Sequence, residues 1–262
     1  MKKILLVLAF VLTVSVANAW NKMAEEGVVV LATKHLSAEA KSMLTKYLGD
    51  TYADDVQYLR TLEQKKSAKH TAEIHYLHLD QALNPVKVEG DDALAAIEQS
   101  LAIVRAHDSH STGEVRVALR TIINLICDIH HLSNVRIEGV PHSQADFTFL
   151  VYAGDVGKRK TTSKIKWSNT WSAYSNWHKG FSGNMWAEDM ELCLGEQREE
   201  LSKGSLHDWA CQIGAKAAEM YGRINPEYVM TRRERNELEY VNYEMMARAG
   251  YRLAVLLNEV VK

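Results

Sequence analysis

The segment from Thr121 to Asn134, TIINLICDIHHLSN, constrains the fold more than any other, because its pattern is that of a helix buried on most sides. At about 100° per residue, one broad face carries only aliphatic side chains: Ile122, Leu125, Ile126, Ile129 and Leu132. The opposite side is polar, with Cys127 and Asn134 at its edge, and carries Asn124, Asp128 and His131. A surface helix would solvate this stripe, but the flanking apolar runs favour burial. Because a buried carboxylate or imidazole must be paired or bound to metal, the segment predicts a polar pocket inside a helical fold.

The N-terminal 19 residues match the pattern of a secretory signal peptide. Two lysines precede an apolar run from Ile4 to Val14, and Ala17 to Ala19 supply the small residues of a cleavage site. This run is too short to span a membrane, and no later segment has about 20 uninterrupted apolar residues. We therefore expect the mature chain, residues 20–262, to begin at Trp20 and to be periplasmic or extracellular. Since no Pro-rich or Gly-rich linker divides it, a single domain is expected.

Composition and cysteine content narrow the class of protein further. The formal net charge of −2 gives no electrostatic basis for tight binding to duplex nucleic acid, which usually needs a basic face. Three cysteines permit one disulfide in an oxidising compartment, and Cys193 with Cys211 is the natural pair, although the sequence alone leaves the connectivity open. Cys127 is expected to be a small core residue. The oligomeric state is not predicted.

Helical patterns cover most of the mature chain, so the predicted fold class is all-α: a single-domain helical bundle. The predicted helices run from Glu25 to His35, Ala38 to Leu48, Asp54 to Glu63, Asp91 to Ala106, Glu114 to Asn134, about Ala187 onward, Ser205 to Tyr221 and Thr231 to Val261. The piece EIHYLHLD alternates in character and predicts an extended segment with His75, Leu77 and Leu79 on one side. Between Val135 and Gly183 the helical pattern stops. There DFTFLVYAG predicts a strand and GKRKTTSKIK a basic turn region, together a small irregular or hairpin insertion.

Four residues acquire meaning as a set: Trp20, Asp54, His75 and Asp128. Taken singly, Trp20 could simply pack in the core, Asp54 could cap a helix and His75 could be a core histidine. With their surroundings they resemble the zinc-dependent single-strand nucleases of the S-one/P-one type, whose helical fold is shared with bacterial phospholipases C. The resemblance covers nearly all of the mature chain, including VVVLATKHLSAEAKSMLTKYLG and the closing helix ARAGYRLAVLLNEV. TYADDVQYLR resembles the family's Trp-Ala-Asp motif, HTAEIHYLHLD its Trp-His-Tyr segment, and LICDIHHLSN its Gly-Asp-x-His-Gln-Pro-Leu-His signature.

The resemblance implies a metal centre. In that family three zinc ions in one cleft activate a water molecule and hold the phosphate of the substrate. By this likeness, the α-amine and carbonyl oxygen of Trp20 would bind one zinc ion and Asp128 would bridge two. Asp54 and His75 would be ligands of the first site, and Glu25, which stands where the family has a histidine, could serve as an oxygen ligand.

Departures from the family pattern weaken that expectation. Asn124 and Asn134 stand where the family has histidines, and a neutral carboxamide is a poor zinc ligand. Trp171 and Ser175 stand where it has a histidine and an aspartate. Asn134, Trp171 and Ser175 would line one of the three sites, which thereby loses all of its specific ligands. The family's Asp-x-Gly-Gly-Asn loop motif is also absent. We therefore expect one or two zinc ions at most rather than three.

Two histidines could act as relocated ligands. His131 lies three residues after Asp128, which places both on one face of a continuous helix. His178 lies in the loosely matched region after the predicted hairpin.

Two principal functions follow from the resemblance. The first is an exported homologue with a degraded metal centre, impaired or inactive in phosphodiester hydrolysis but retaining a binding pocket. The alternative is an active metal-dependent endonuclease or 3′-nucleotidase that uses fewer or relocated ions. Single-stranded nucleic acid or a nucleotide is the expected partner, and Tyr174, Trp177 and Trp186 could stack on bases or simply pack. A phospholipase C-like activity is a third hypothesis, because that enzyme class shares the fold.

Overall fold

The computed structural model describes residues 20–67, 69–88, 92–156, 159–171 and 180–261. The predicted signal peptide, Ser175 and His178 therefore lie outside the described residues, as do Tyr174 and Trp177. The described residues are mostly helical, as predicted, and they include two small sheets in addition. No helix within the described ranges has the length and apolar character needed to cross a membrane.

The α-helices in the described ranges are α1 (Lys22–Lys34), α2 (Ala38–Leu48), α3 (Tyr58–Gln64), α4 (Ala93–Arg105), α5 (Thr112–His130), α6 (Gly183–Leu194), α7 (Arg198–Ser202), α8 (Leu206–Arg223) and α9 (Arg232–Glu259). Residues 167–171 are also helical. Short 3-10 helices cover Tyr52–Gln57, Ala72–His75, His107–Ser109, Leu132–Asn134, Pro141–Ser143 and Gly195–Gln197. Helices α5, α8 and α9 each begin with a capping box. In this motif the N-cap hydroxyl and an acidic side chain three residues later each accept a hydrogen bond from the other residue's backbone N–H.

Helix α5 lies at the centre of the molecule. Helices α1, α2, α3, α4, α8 and α9 all contact it, and nearly every side chain from Leu119 to His130 is buried. Helix α1 packs against α6 and α9, and the approach of α1 to α6 is close because glycines meet at the contact. A methyl group on Gly27 would collide with the side chain of Trp186, and one on Gly183 would lie 2.8 Å from Glu26 Cβ.

The strands form two separate sheets. Strand β1 (Leu77–Leu79) pairs in parallel with β2 (Val135–Ile137), which ties the segment before α4 to the segment after α5. Strand β3 (Thr148–Val156) pairs antiparallel with β4 (Arg159–Lys166) and in parallel with β5 (Val229–Met230), giving the order β4-β3-β5.

Several local predictions need correction. The basic segment GKRKTTSKIK is not a turn region, because most of it forms β4 and Ile165 pairs with Phe149 of the neighbouring strand. The helix predicted from Asp54 to Glu63 is divided into a 3-10 helix and α3. His75 ends a 3-10 helix rather than lying in the extended strand, which begins at Leu77.

The expected Cys193–Cys211 disulfide is absent from the described residues, where all three cysteines are free thiols. Cys193 lies on α6 and is exposed, whereas Cys211 lies on α8, 3.8 Å from His207 Nδ1. The two thiols lie on different helices and are not bonded to each other. Cys127 is a buried core residue of α5, as predicted.

Candidate functional site

Asp128 is the centre of a buried polar network, as the polar stripe on the sequence predicted. It lies in the last turn of α5 and is only 2% exposed. Its Oδ2 atom is 2.7 Å from His75 Nδ1, and its Oδ1 atom accepts a hydrogen bond of 3.1 Å from Arg60 Nη2. Both oxygens of the carboxylate are therefore engaged by cationic or imidazole partners on other segments.

Arg60, on α3, brings a positive charge into this network. Its Nη2 atom lies 3.0 Å from Glu25 Oε1 as well as 3.1 Å from Asp128 Oδ1, and the side chain is largely buried. The contact between Arg60 and Glu25 is an ion pair of two buried side chains. A guanidinium thus stands between two buried carboxylates and compensates their charge.

Asn124 fixes the position of Arg60. One helical turn before Asp128, its Oδ1 atom accepts a hydrogen bond of 3.1 Å from the backbone N–H of Leu59, and its Nδ2 atom donates to the carbonyl of Arg120. Leu59 immediately precedes Arg60. The side-chain amide of Asn124 therefore holds α3 against α5 next to Asp128, whose carboxylate the Arg60 guanidinium contacts. The Asn124 carboxamide is a poor metal ligand, but it can accept and donate hydrogen bonds to the backbone at the same time.

The other ring nitrogen of His75 leads to a second cluster. His75 Nε2 lies 3.1 Å from Glu63 Oε1, and the same oxygen lies 3.3 Å from His70 Nε2. One ligand-type atom from each of Glu63, His70 and His75 lies within 4.8 Å of the others. This triad is a candidate metal-binding group that shares His75 with the Asp128 network.

Burial and charge set the protonation states. Burial works against a charged His75, but the carboxylates of Asp128 and Glu63 overcome it and raise the pKa of the imidazole to about 9. Burial also favours a neutral Asp128, yet His75 and Arg60 hold the pKa of that carboxyl below its ordinary value. Burial raises the pKa of Glu25 to about 7, although Arg60 opposes the rise. At neutral pH the network accordingly holds an anionic Asp128 between two cations.

His131, a predicted relocated ligand, lies beside the network but outside α5. The chain leaves the helical conformation there (φ −84°, ψ 107°), so His131 does not continue the face that carries Asp128. Its Nδ1 atom is 2.8 Å from Ser133 Oγ, and its buried Nε2 atom has no hydrogen-bond partner in the described part of the chain. Burial, with the nearby charge of Arg60, lowers its pKa to about 3 and keeps the ring neutral.

The remaining predicted positions surround the same region. The Trp20 ring meets the His131 ring edge to face, with centroids 5.7 Å apart, and its indole N–H donates to Asn242 Oδ1 at 2.6 Å. Asn242 in turn donates to the backbone carbonyl of Trp171. Asn134 donates its side-chain N–H to the carbonyl of Asp128 at 3.1 Å. Asp54 lies in the 3-10 helix before α3, and its side chain is outside the described part of the structure.

The structure thus brings together Trp20, Glu25, His75, Asn124, Asp128, His131, Asn134 and Trp171. As zinc ligands the carboxylates do not fit. An ion that bridged Glu25 Oε1 and Asp128 Oδ1 would need the space that Arg60 Nη2 fills, because this nitrogen lies 3.0 Å and 3.1 Å from those two oxygens.

Sequence reasoning missed Arg60, Glu63 and His70. Arg60 stands at the end of the quoted motif TYADDVQYLR, and the spacing Glu63–x6–His70–x4–His75 is visible in the sequence. Neither feature is conspicuous before the fold is known, because a lone arginine or glutamate on a short helix is most simply a solvated residue.

Comparison with models of known protein families gives no match for this chain, and comparison with curated proteins gives none either.

Proposed function

We propose that this chain is an exported relative of the zinc-dependent single-strand nucleases in which a protein cation has replaced the zinc ions around Asp128. In this proposal the chain does not hydrolyse phosphodiesters through that centre. It retains a binding role, with single-stranded nucleic acid or a nucleotide as the expected ligand class. The observation that carries the proposal is the position of the Arg60 guanidinium between Glu25 and Asp128.

Clustering of the matched positions supports the ancestry part of the proposal. Glu25, His75 and Asp128 come from separate parts of the sequence, yet Arg60 and direct contact join them. Trp20 and Trp171 meet through Asn242, and Trp20 packs on His131, whose backbone N–H donates to the carbonyl of Asp128. A chance likeness of short motifs gives no reason for the motif residues to meet in space.

Chemistry supports the loss of activity. In metal-assisted hydrolysis the ion supplies a hydroxide nucleophile near neutral pH and withdraws charge from the phosphoryl group. A guanidinium can hold a phosphate but has no open coordination position for water. Both Asp128 oxygens are hydrogen-bonded to protein groups, so this carboxylate is also unsuited to act as a general base.

A direct test uses protein that begins at Trp20, since an added tag would remove its α-amine. The zinc content is measured after incubation with excess ZnCl2 and desalting, and turnover is assayed on single-stranded DNA, RNA and 3′-nucleotides. We expect at most one zinc ion per chain. Any hydrolysis that is detected should be the same in the wild type and in Asp128→Asn. Two or more zinc ions per chain, with turnover that Asp128→Asn abolishes, would refute the proposal.

The second candidate function is a phosphodiesterase that uses a single relocated ion. The observation that favours it is the Glu63–His70–His75 triad, since two histidines and one carboxylate are a ligand set of catalytic zinc sites. It predicts zinc-dependent hydrolysis that His70→Ala removes and His78→Ala leaves intact. Absence of turnover at saturating zinc would eliminate it.

A further inference from the structure

The triad beside the Asp128 network has the arrangement of a metal site. Ligand atoms that lie about 2.0–2.1 Å from a tetrahedral zinc ion lie roughly 3.3 Å from one another. Glu63 Oε1 is 3.1 Å from His75 Nε2 and 3.3 Å from His70 Nε2. The glutamate oxygen therefore already stands at a tetrahedral edge distance from both imidazoles.

The arrangement of His70 points to a missing partner. Its buried Nε2 atom makes no aligned hydrogen bond with any described residue, although Glu63 Oε1 is close. The rings of His70 and His75 lie nearly perpendicular, with centroids 6.1 Å apart, so their nitrogens can converge without the rings stacking. A small ion between the two nitrogens and the carboxylate would give His70 Nε2 an aligned partner.

The outer contacts of His75 also match a metal site. Ligating histidines almost always direct their second ring nitrogen to a carboxylate or carbonyl, which fixes the tautomer and the ring orientation. Here His75 Nδ1 lies 2.7 Å from Asp128 Oδ2, and the ring is fully buried. This contact directs Nε2 toward Glu63 and His70, and a bound ion would take the place of the proton that Nε2 carries in the metal-free protein.

An ion could reach the cluster from solvent. The side chains of Glu63 and His70 are 15% and 11% exposed, whereas His75 is covered. The site would thus be a partly open one, with room for water as a fourth ligand beside three protein groups.

We propose that Glu63, His70 and His75 form a binding site for one divalent transition-metal ion such as Zn2+, with Asp128 as the carboxylate that orients His75. The site is distinct from the position that Arg60 fills, and it does not depend on whether the chain is related to nucleases or hydrolyses any substrate. A carboxylate with two imidazoles favours zinc over calcium or magnesium, which prefer all-oxygen shells.

Isothermal titration of the full mature chain with ZnCl2 tests the site. We expect one ion per chain for the wild type. Loss of an outer-shell partner alone typically costs about 10–100-fold in metal affinity, so Glu63→Gln and His70→Ala are expected to weaken binding by at least about 100-fold. The matched control is His78→Ala, which removes a histidine that lies 3.3 Å from Glu73 Oε2 in a two-residue pair; it should leave affinity unchanged.

A spectroscopic measurement guards against variants that misfold. X-ray absorption of the zinc-loaded wild type should show nitrogen and oxygen ligands at about 2.0–2.1 Å, including two imidazoles. Zinc affinity that is unchanged in both Glu63→Gln and His70→Ala would overturn the proposal, as would no detectable binding by the wild type. Because these readouts do not involve turnover, an inactive protein that binds zinc here would still support the site.

Discussion

At the residue scale, Arg60 explains how two acidic side chains can be buried together. Glu25 and Asp128 are 1% and 2% exposed, and charges at that depth are tolerated only when they are compensated. One nitrogen of Arg60 contacts both carboxylates, while Asn124 holds the adjacent backbone. The residue pattern allowed a metal ion or a basic side chain as the compensating group, and only the fold identifies the second.

Removal of the Arg60 charge tests this explanation. Arg60→Met keeps most of the side-chain volume but leaves Glu25 without its cation and Asp128 with His75 alone, and breaking a buried pair in this way costs about 3–5 kcal/mol. Urea unfolding should show that loss. The control, Arg233→Met, changes a side chain that is 91% exposed and should alter the free energy of unfolding by less than about 0.5 kcal/mol. Similar small effects for both variants would contradict the explanation.

The protonation of His75 predicts a pH dependence of stability. Its folded-state pKa is raised to about 9 from an ordinary value of 6.5, so the folded protein binds the proton more tightly than the unfolded chain. The resulting stabilisation is fully present below pH 6.5 and is lost as pH rises through 9, with a total of about 3 kcal/mol. Glu25, whose pKa is raised to about 7, adds a loss in the same direction at lower pH.

The measurement is the free energy of unfolding of the metal-free protein at pH 6.5 and pH 9.5, for the wild type and for His75→Gln. The wild type should lose stability over this interval, and the variant should lose much less of it. Equal slopes in the two proteins would show that His75 is not the group responsible.

At the element scale, the helices were predictable because their periodicity and caps agree. Helix α2 has the predicted bounds Ala38 and Leu48, and Ser37 and Gly49 cap its two ends. The C-terminal end of α5 was predicted four residues too late, because the apolar pattern continues through Leu132 while the backbone leaves the helix at His131. The carbonyl of Asp128 accepts from the backbone N–H of His131 and from the side-chain N–H of Asn134, and these bonds close the end of the helix.

The contact between α1 and α6 offers an element-scale prediction. A methyl group at Gly27 collides with Trp186, so Gly27→Ala should destabilise the protein by about 1–3 kcal/mol. The matched control is Gly222→Ala on α8, where a methyl group meets nothing within 4 Å. That change should stabilise by up to about 1 kcal/mol through helix propensity. Thermal unfolding of both variants checks the pair, and a stable Gly27→Ala protein would contradict the close packing.

At the scale of the whole molecule, part of the site could be predicted and part could not. Glu25, His75 and Asp128 were singled out from the sequence and do converge. Glu63 and His70 were not, because nothing local distinguishes a site residue on a short helix or loop from a solvated one. Pairing of β1 with β2 holds the segment that follows His75 against the segment that follows α5, and such long-range register is not encoded in either segment alone.

If Arg60 serves as the cation between Glu25 and Asp128, any bound metal lies at Glu63, His70 and His75. Anomalous diffraction at the zinc absorption edge, from crystals of residues 20–262 equilibrated with ZnCl2, tests this placement of the metal. We predict one peak among the Glu63, His70 and His75 side chains and none between Glu25 and Asp128, where the guanidinium remains. A zinc peak bound to Asp128, with Arg60 displaced from both carboxylates, would contradict the account.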